Sequence, residues 1–243
     1  MTDAFEAFGR VAAALENATV IAGRNAFQAS SEGEIVRDVV GKLRLRPDHR
    51  LLEVGCGVGV LLSPLAGVVR EAVGVDHPAV IARYRESGVP GNVSLVPGRW
   101  PDVSVRGPFD RILAYSVLHY LADVRACESF VFACVEALAS GGLLLLGDIP
   151  NRDAMERFRS SPSAADIQAR YEAMKASCDD PDSLAQRRIF EEVEVGEAFL
   201  TDRFLVGLLG RLRGEGLEAY LLPQPSTLPF SETREDLLIR RRA

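Results

Sequence analysis

No run of apolar residues in this chain approaches the ~20 that a membrane-spanning helix requires, and the N-terminus shows no signal-peptide pattern. No membrane partner is expected. Cysteine is scarce: Cys56, Cys127, Cys134 and Cys178 are the four among 243 residues, and none is paired at a metal-ligand spacing. That excludes a disulfide scaffold or a zinc ribbon, and no metal is expected. Reduced thiols and a cytoplasmic setting are expected instead. Positive charge is in deficit. With 28 Lys and Arg against 34 Asp and Glu, the formal charge is −6, which argues against a nucleic-acid backbone as the main partner. There is no internal repeat, and nothing in the pattern sets an oligomeric state. Asn17-Ala18-Thr19 fits a glycosylation triplet, which carries little meaning without secretion. What the chain does have is a hydrophobic content of 47%, enough for a sizeable core, in a length that suits one α/β domain spanning 1–243.

The most informative stretch is 51–62, LLEVGCGVGVLL. Leu51, Leu52, Glu53 and Val54 read as a buried strand. Gly55, Gly57 and Gly59 then make a tight turn, and Val60, Leu61 and Leu62 open a helix. Glycine permits unusual backbone angles and close approach of a ligand to the main chain. The helix start offers free N–H groups and a positive dipole end. Residues 72–76, AVGVD, read as a second strand ending at Asp76, 21 positions after Gly55. An acid about 20 residues after the first glycine is placed to hold ribose hydroxyls. The third glycine comes one residue too early for the dinucleotide fingerprint, and no lysine follows as in a P-loop.

The remaining elements alternate. Residues 3–22 favour helix, with Phe5, Phe8 and Leu15 suggesting an apolar face. Ser31 and Glu34 form a capping-box signature, and Ile35, Val36, Val39, Val40 and Leu43 follow at helical spacing. A helix over 79–87, a strand over 93–96 and a buried strand at Ile112, Leu113 and Ala114 come next. A helix over roughly 123–138 leads to a fifth strand at Leu143 to Leu146, ending at Asp148. Residues 151–196 are charged and break the alternation, either as a lid or as a solvated helical excursion. The pattern predicts a helix over 197–213, a sixth strand over 217–222 and a last strand over 235–241.

The stretches EVGCGVG and VGVD resemble motif I and the following strand of the class I S-adenosylmethionine (SAM) dependent methyltransferases of small-molecule type. The resemblance covers 31–150 well and 197–243 by pattern only. It implies a seven-stranded, mostly parallel doubly wound sheet with an antiparallel last strand. N-terminal helices over 1–45 would lie over the cofactor, and 151–196 would be a lid insertion between strands five and six. It also implies SAM as methyl donor, S-adenosylhomocysteine as product and a small-molecule acceptor, with a hydroxyl as the expected methylated group.

On the family's pattern, Gly55, Gly57 and Tyr115 line the methionyl part and Asp76 holds the ribose. Glu53 sits under the turn, fixing its N–H groups or reaching the amino-acid end. His77 faces the adenine. Many relatives have Gly-Asp where this chain has Gly98-Arg99, so adenine recognition falls to backbone groups or to Trp100, which either stacks on the ring or fills core space. Arg24, Asn25 and Gln28 are lid contacts or a polar connection. Gln28, Tyr120 and Asp148 are the acceptor contacts that the pattern suggests. His119, expected on the first turn of the helix after strand four, is the candidate base; it either takes the acceptor proton or only shapes the pocket. A nicotinamide oxidoreductase and a SAM-fold binding protein without turnover are the alternatives.

Overall fold

A computed structural model describes residues 3–177, 180–191, 193 and 196–243; Cys178 and Asp179 lie outside the described residues. The apolar runs form β1 (Arg50–Val54), β2 (Glu71–Asp76), β3 (Val93–Pro97), β4 (Phe109–Tyr115), β5 (Leu138–Pro150), β6 (Glu218–Pro223) and β7 (Arg234–Arg240). They make one sheet in the order β3-β2-β1-β4-β5-β7-β6. The strands from β3 to β5 pair in parallel, and β7 enters between β5 and β6 antiparallel to both. The expected doubly wound sheet is therefore the observed one. Its strand order reverses between β1 and β4, where a crevice opens beyond the C-terminal ends of the strands.

Ten helices occur among the described residues: α1 (Ala4–Ala14), α2 (Ala18–Ile21), α3 (Glu32–Leu43), α4 (Leu62–Ala66), α5 (Pro78–Ser87), α6 (Val124–Glu136), α7 (Arg152–Arg159), α8 (Ala164–Ser177), α9 (Pro181–Phe190) and α10 (Asp202–Gly214). Alternation along the strands sends neighbouring side chains to opposite faces. Leu51, Leu113, Leu143 and Leu145 join α3, α4 and α5 in one core. Leu52, Ile112, Leu144 and Leu146 join α6 and α10 in the other. That is why Leu143 to Leu146 is continuously apolar: both faces of the strand are covered. None of the described helices is long and apolar enough to cross a membrane.

The structure departs from the predicted elements in several places. The helix expected over 3–22 breaks after Ala14, because the Asn17 side chain accepts from the N–H groups of Thr19 and Val20 and starts α2 afresh. Ser31 makes no side-chain cap: residues 26–31 already form a 3-10 helix running into α3, so the box forms upstream, with Gln28 Oε1 accepting from Asn25 N–H at 2.8 Å. The helix expected from 197 begins at Asp202, with the Thr201 hydroxyl accepting from Phe204 N–H.

Within 151–196, α9 docks on the N-terminal segment. Asp182 Oδ2 accepts from Glu16 and Asn17 N–H at 2.9 and 2.7 Å, and Gln186 Nε2 donates to Val20 carbonyl at 2.6 Å. Phe190 packs against Phe8, ring centroids 5.0 Å apart.

Gly59 shows why one glycine of the turn is needed for packing. Its φ is +83°, and a Cβ there would meet the Tyr84 ring of α5 at 2.0 Å. Gly59→Ala should cost about 2–5 kcal/mol, combining left-handed strain with overpacking. An unchanged denaturant midpoint for the variant would contradict this.

Candidate active site

The site begins at the turn after β1. Gly55 and Gly57 adopt φ of +76° and +55°, and a Cβ on Gly55 would meet Val117 at 2.6 Å. The N–H groups of Gly55 and Cys56 donate to Val75 carbonyl, and Gly57 N–H donates to Asp76 Oδ2 at 2.7 Å. Asp76 Oδ1 accepts from His77 N–H at 2.6 Å. Burial raises the Asp76 carboxyl, while these two N–H bonds hold it down. The residue that fixes the turn is thus Asp76 and not Glu53. Glu53 is 2% exposed beneath the turn, and its Oε2 has no hydrogen-bond partner. Burial drives its carboxyl well upward, opposed by the charge of Arg24.

A cleft of about 440 Å³ runs from the turn past β2 and β4. Gly55, Gly57, Asp76, Arg99, Trp100, Tyr115 and Tyr120 all line it, as does Asp102, which sequence reasoning left unassigned. His77 does not line it. Its ring caps α5, with Nδ1 accepting from Ala79 N–H, and lies against Phe5 at 4.8 Å under Gly9 of α1. The expected adenine-side histidine is replaced there by Phe5, brought in by α1. Arg99 lies over Phe5 and pairs with Asp3 at 2.6 Å, fastening α1 to the rim. Trp100 packs against the α6 core and also lines the cleft.

Beside the cleft lies a second cavity of about 310 Å³. Tyr115, Ser116 and Tyr120 line both. Arg24, Asn25, Gln28, His119 and Asp148 face this second cavity and not the cleft. Arg24, Asn25 and Gln28 thus line the second cavity, with Arg24 over the Tyr115 ring where the two spaces meet. His119 sits in a short 3-10 turn, Leu118–Tyr120, well before α6 starts at Val124. It is 5% exposed, its Nδ1 has no partner, and burial with the nearby charge of Arg234 holds its pKa well below the ordinary range.

Ser116 and Asp148 both have positive φ, +58° and +59°. Such strain persists only where neighbours over-determine it. Here Ser116 Oγ donates to Asp148 Oδ2 at 2.5 Å, and Asp148 N–H donates to Asp236 Oδ1 at 2.9 Å. Fully buried Asp236 also receives Lys42 Nζ at 2.7 Å and Gln224 Nε2 at 3.1 Å, and Gln224 reaches Tyr115 Oη at 3.2 Å. Gln224, Arg234 and Asp236 carry no sequence signal; they come from the C-terminal hairpin, far along the chain from Tyr115.

The three-glycine turn, the acid at the end of β2 and the switch-point crevice define the class I SAM-dependent methyltransferase architecture. A methyltransferase-domain family model matches residues 28–189, and the chain belongs to that family, which sets aside the nicotinamide alternative.

Among curated proteins, it is similar to a ubiquinone biosynthesis O-methyltransferase of Nitrobacter winogradskyi, 32% identical over 98 residues, covering 39% of this chain and 36% of that protein. It is also similar to chondramide synthase of Chondromyces crocatus, 29% identical over 137 residues, covering 54% of this chain and 4% of that one. The match thus spans 4% and 36% of these relatives' own lengths. Two solved structures share the fold. The N-methyltransferase NodS of Bradyrhizobium japonicum with S-adenosylhomocysteine has a TM-score of 0.62 at 17% identity, covering 100% of both chains. A phosphoethanolamine N-methyltransferase of Haemonchus contortus has 0.67 at 15%, covering 100% of this chain and 50% of that one.

The depressed His119 has a stability consequence. Below about pH 6.5, the ordinary histidine value, the unfolded chain takes up a proton that the folded chain refuses. Stability is therefore full above that pH and falls as pH drops toward the folded value. Glu53, Asp76 and Asp236 have carboxyls raised by desolvation and act in the opposite sense, and His49 is depressed as His119 is. The readout is therefore a difference: His119→Gln should lose less stability than the parent between pH 7.5 and 5, by up to about 1.4 kcal/mol per pH unit below 6.5. Parallel urea titrations showing equal losses would contradict it.

Proposed function

We propose that the protein transfers a methyl group from SAM to a small-molecule hydroxyl, with the cofactor in the larger cleft and the acceptor in the polar cavity. The observation that carries this reading is that the two spaces meet at Tyr115, Ser116 and Tyr120, beside His119 with its unpartnered Nδ1. The residues present fit a zwitterionic amino-acid end. Arg24 is 9% exposed, lies over the Tyr115 ring at 5.7 Å and makes no ion pair among the described residues; Glu53 holds an unsatisfied carboxylate oxygen. Arg24 supplies a cation for the methionyl carboxylate, and Glu53 supplies an open oxygen that can accept from its ammonium. Asp76 accepts from the ribose hydroxyls, and Phe5 and Trp100 flank the base. When bound, SAM supplies a methyl group already activated by a sulfonium.

The chain's own contribution is then positioning and removal of a proton. Neutral at physiological pH, His119 can take the acceptor's hydroxyl proton at an imidazole nitrogen. Ser116 and Asp148, locked to each other, orient the acceptor. Tyr115 stays a neutral phenol because burial and the nearby carboxylates of Asp148 and Asp236 push it well upward. The docked α1, α2 and α9 roof the site and exclude water, which is the lid role we assign to the insertion. The chain of 1–243 acts as one domain in this reading. Its described cysteines, buried and unpaired, suit a reducing cytoplasmic setting.

Three measurements test this reading. Asp76→Ala should weaken S-adenosylhomocysteine binding about tenfold to hundredfold, the worth of a charge-assisted hydrogen bond; unchanged affinity by calorimetry in the folded variant would remove the cofactor assignment. His119→Ala should keep that affinity while lowering the single-turnover rate by roughly 10²–10⁴-fold at saturating acceptor. A rate within a few-fold of the parent would show that His119 is not the base. Release of S-adenosylhomocysteine over a hydroxyl-metabolite panel separates turnover from mere binding.

A further inference from the structure

The acceptor cavity is basic in a chain that is acidic overall. Arg24, Arg187 and Arg234 line it, and Asp148 is the only carboxylate to do so among the described residues. In the reading above, on which this inference rests, Arg24 is taken by the methionyl carboxylate. The other two guanidiniums are incompletely used. Exposed Arg187 donates through Nη2 to Asn25 Oδ1, a neutral acceptor, at 2.9 Å. Arg234 is held by Asp148 through Nη1 alone, at 3.2 Å to both the carbonyl and Oδ2, and rests on Phe230 at 5.1 Å. The remainder of its planar fork is left for a ligand.

Arg187 and Arg234 line this one cavity together, and Phe230, on which Arg234 rests, packs against the Tyr171 ring. The sulfonium of the donor adds a further positive charge on the cleft side. Gln28 and Gln186, both buried, supply neutral polar wall without altering that sign.

We propose that Arg187 and Arg234 form an anion clamp and that the methyl acceptor carries an acidic group, a carboxylate or a phosphate, in addition to the oxygen that is methylated. Planar guanidinium forks suit both groups bidentately. Arg187 is exposed and His119 only 5% exposed on the same cavity, so the acidic group fixes which end of the acceptor reaches the methyl donor. Specificity here comes from charge: a neutral acceptor of the same shape leaves the guanidiniums without a partner.

The test uses the full chain saturated with S-adenosylhomocysteine, whose binding is confirmed first by calorimetry. Thermal unfolding is followed against increasing inorganic phosphate, succinate or neutral succinamide at constant ionic strength set with sodium chloride. Phosphate or succinate should raise the midpoint in a saturable way, and succinamide should not. Response to phosphate alone assigns a phosphoryl group, and to succinate alone a carboxyl group. Arg187→Met and Arg234→Met should each weaken the responsive anion about tenfold to hundredfold, with cofactor-product affinity within a few-fold of the parent. Arg234→Lys, which keeps the charge but not the fork, should fall between parent and Arg234→Met.

Three results would overturn the clamp: no saturable response to either anion, an equal response to succinamide, or an unchanged response in both methionine variants. Failure to bind S-adenosylhomocysteine would instead overturn the methyl-transfer reading itself.

Discussion

The Asp76 carboxylate is the point on which the cleft depends. One oxygen takes Gly57 N–H and the other takes His77 N–H, so a single side chain ties the turn after β1 to the end of β2. The turn needs that support because its glycines sit at positive φ with few local partners. Val75 carbonyl takes the two preceding amides, and the Tyr84 ring closes against Gly59 from below. With its amides satisfied in this way, the turn presents a smooth edge to the crevice. The carboxylate that remains at the crevice is only half-buried, so its unused lone pairs stay available to a ligand.

The roof is built from segments distant in sequence. Helix α1 is drawn close by Gly9, where any Cβ would collide with the His77 ring. Beyond its far end, Asp182 accepts the backbone N–H groups of Glu16 and Asn17 in the connection between α1 and α2. One acidic side chain from the insertion therefore completes the N-terminal segment, so the two move or stay as a unit. Apolar packing holds this unit as well: Val11, Ala12, Leu15, Val20 and Ile21 belong to the same core as α3, α4 and α5, and Ala4, Ala7 and Val193 form a smaller cluster with Tyr120, Ile189 and Phe190.

The acceptor side depends on β7. Its antiparallel entry beside β5 meets a register shift between Leu146 and Ile149, and there Asp236 receives Asp148 N–H. The strained Asp148, the Ser116 hydroxyl and the Tyr115 phenol are all referred to that one buried carboxylate, directly or through a neighbour. Lys42 balances its charge, itself shared with Asp38 at 2.6 Å. A buried carboxylate left without this cation would carry a large desolvation cost, so α3 is bound electrostatically to the site as well as by its apolar face.

The sequence by itself determined the sheet, the turn and the acid that ends β2. Leu51–Val54, the glycine triplet and Asp76 are local, and their periodicity and spacing state backbone geometry directly. The apolar runs at Ile112–Ala114 and Leu143–Leu146 likewise show strands covered on both faces. Tertiary structure alone decided that His77 turns under α1 while Phe5 takes its place, that Asp76 and not Glu53 satisfies the turn, and that Arg24 and Gln28 face the second cavity. It also decided that Arg187, Gln224 and Arg234 reach that cavity at all, with Asp236 buried behind it. The physical reason is range. Backbone conformation is set by neighbours within a few residues, whereas a polar side chain's partner is chosen by whichever element packs beside it, and that choice leaves no periodic trace in the chain.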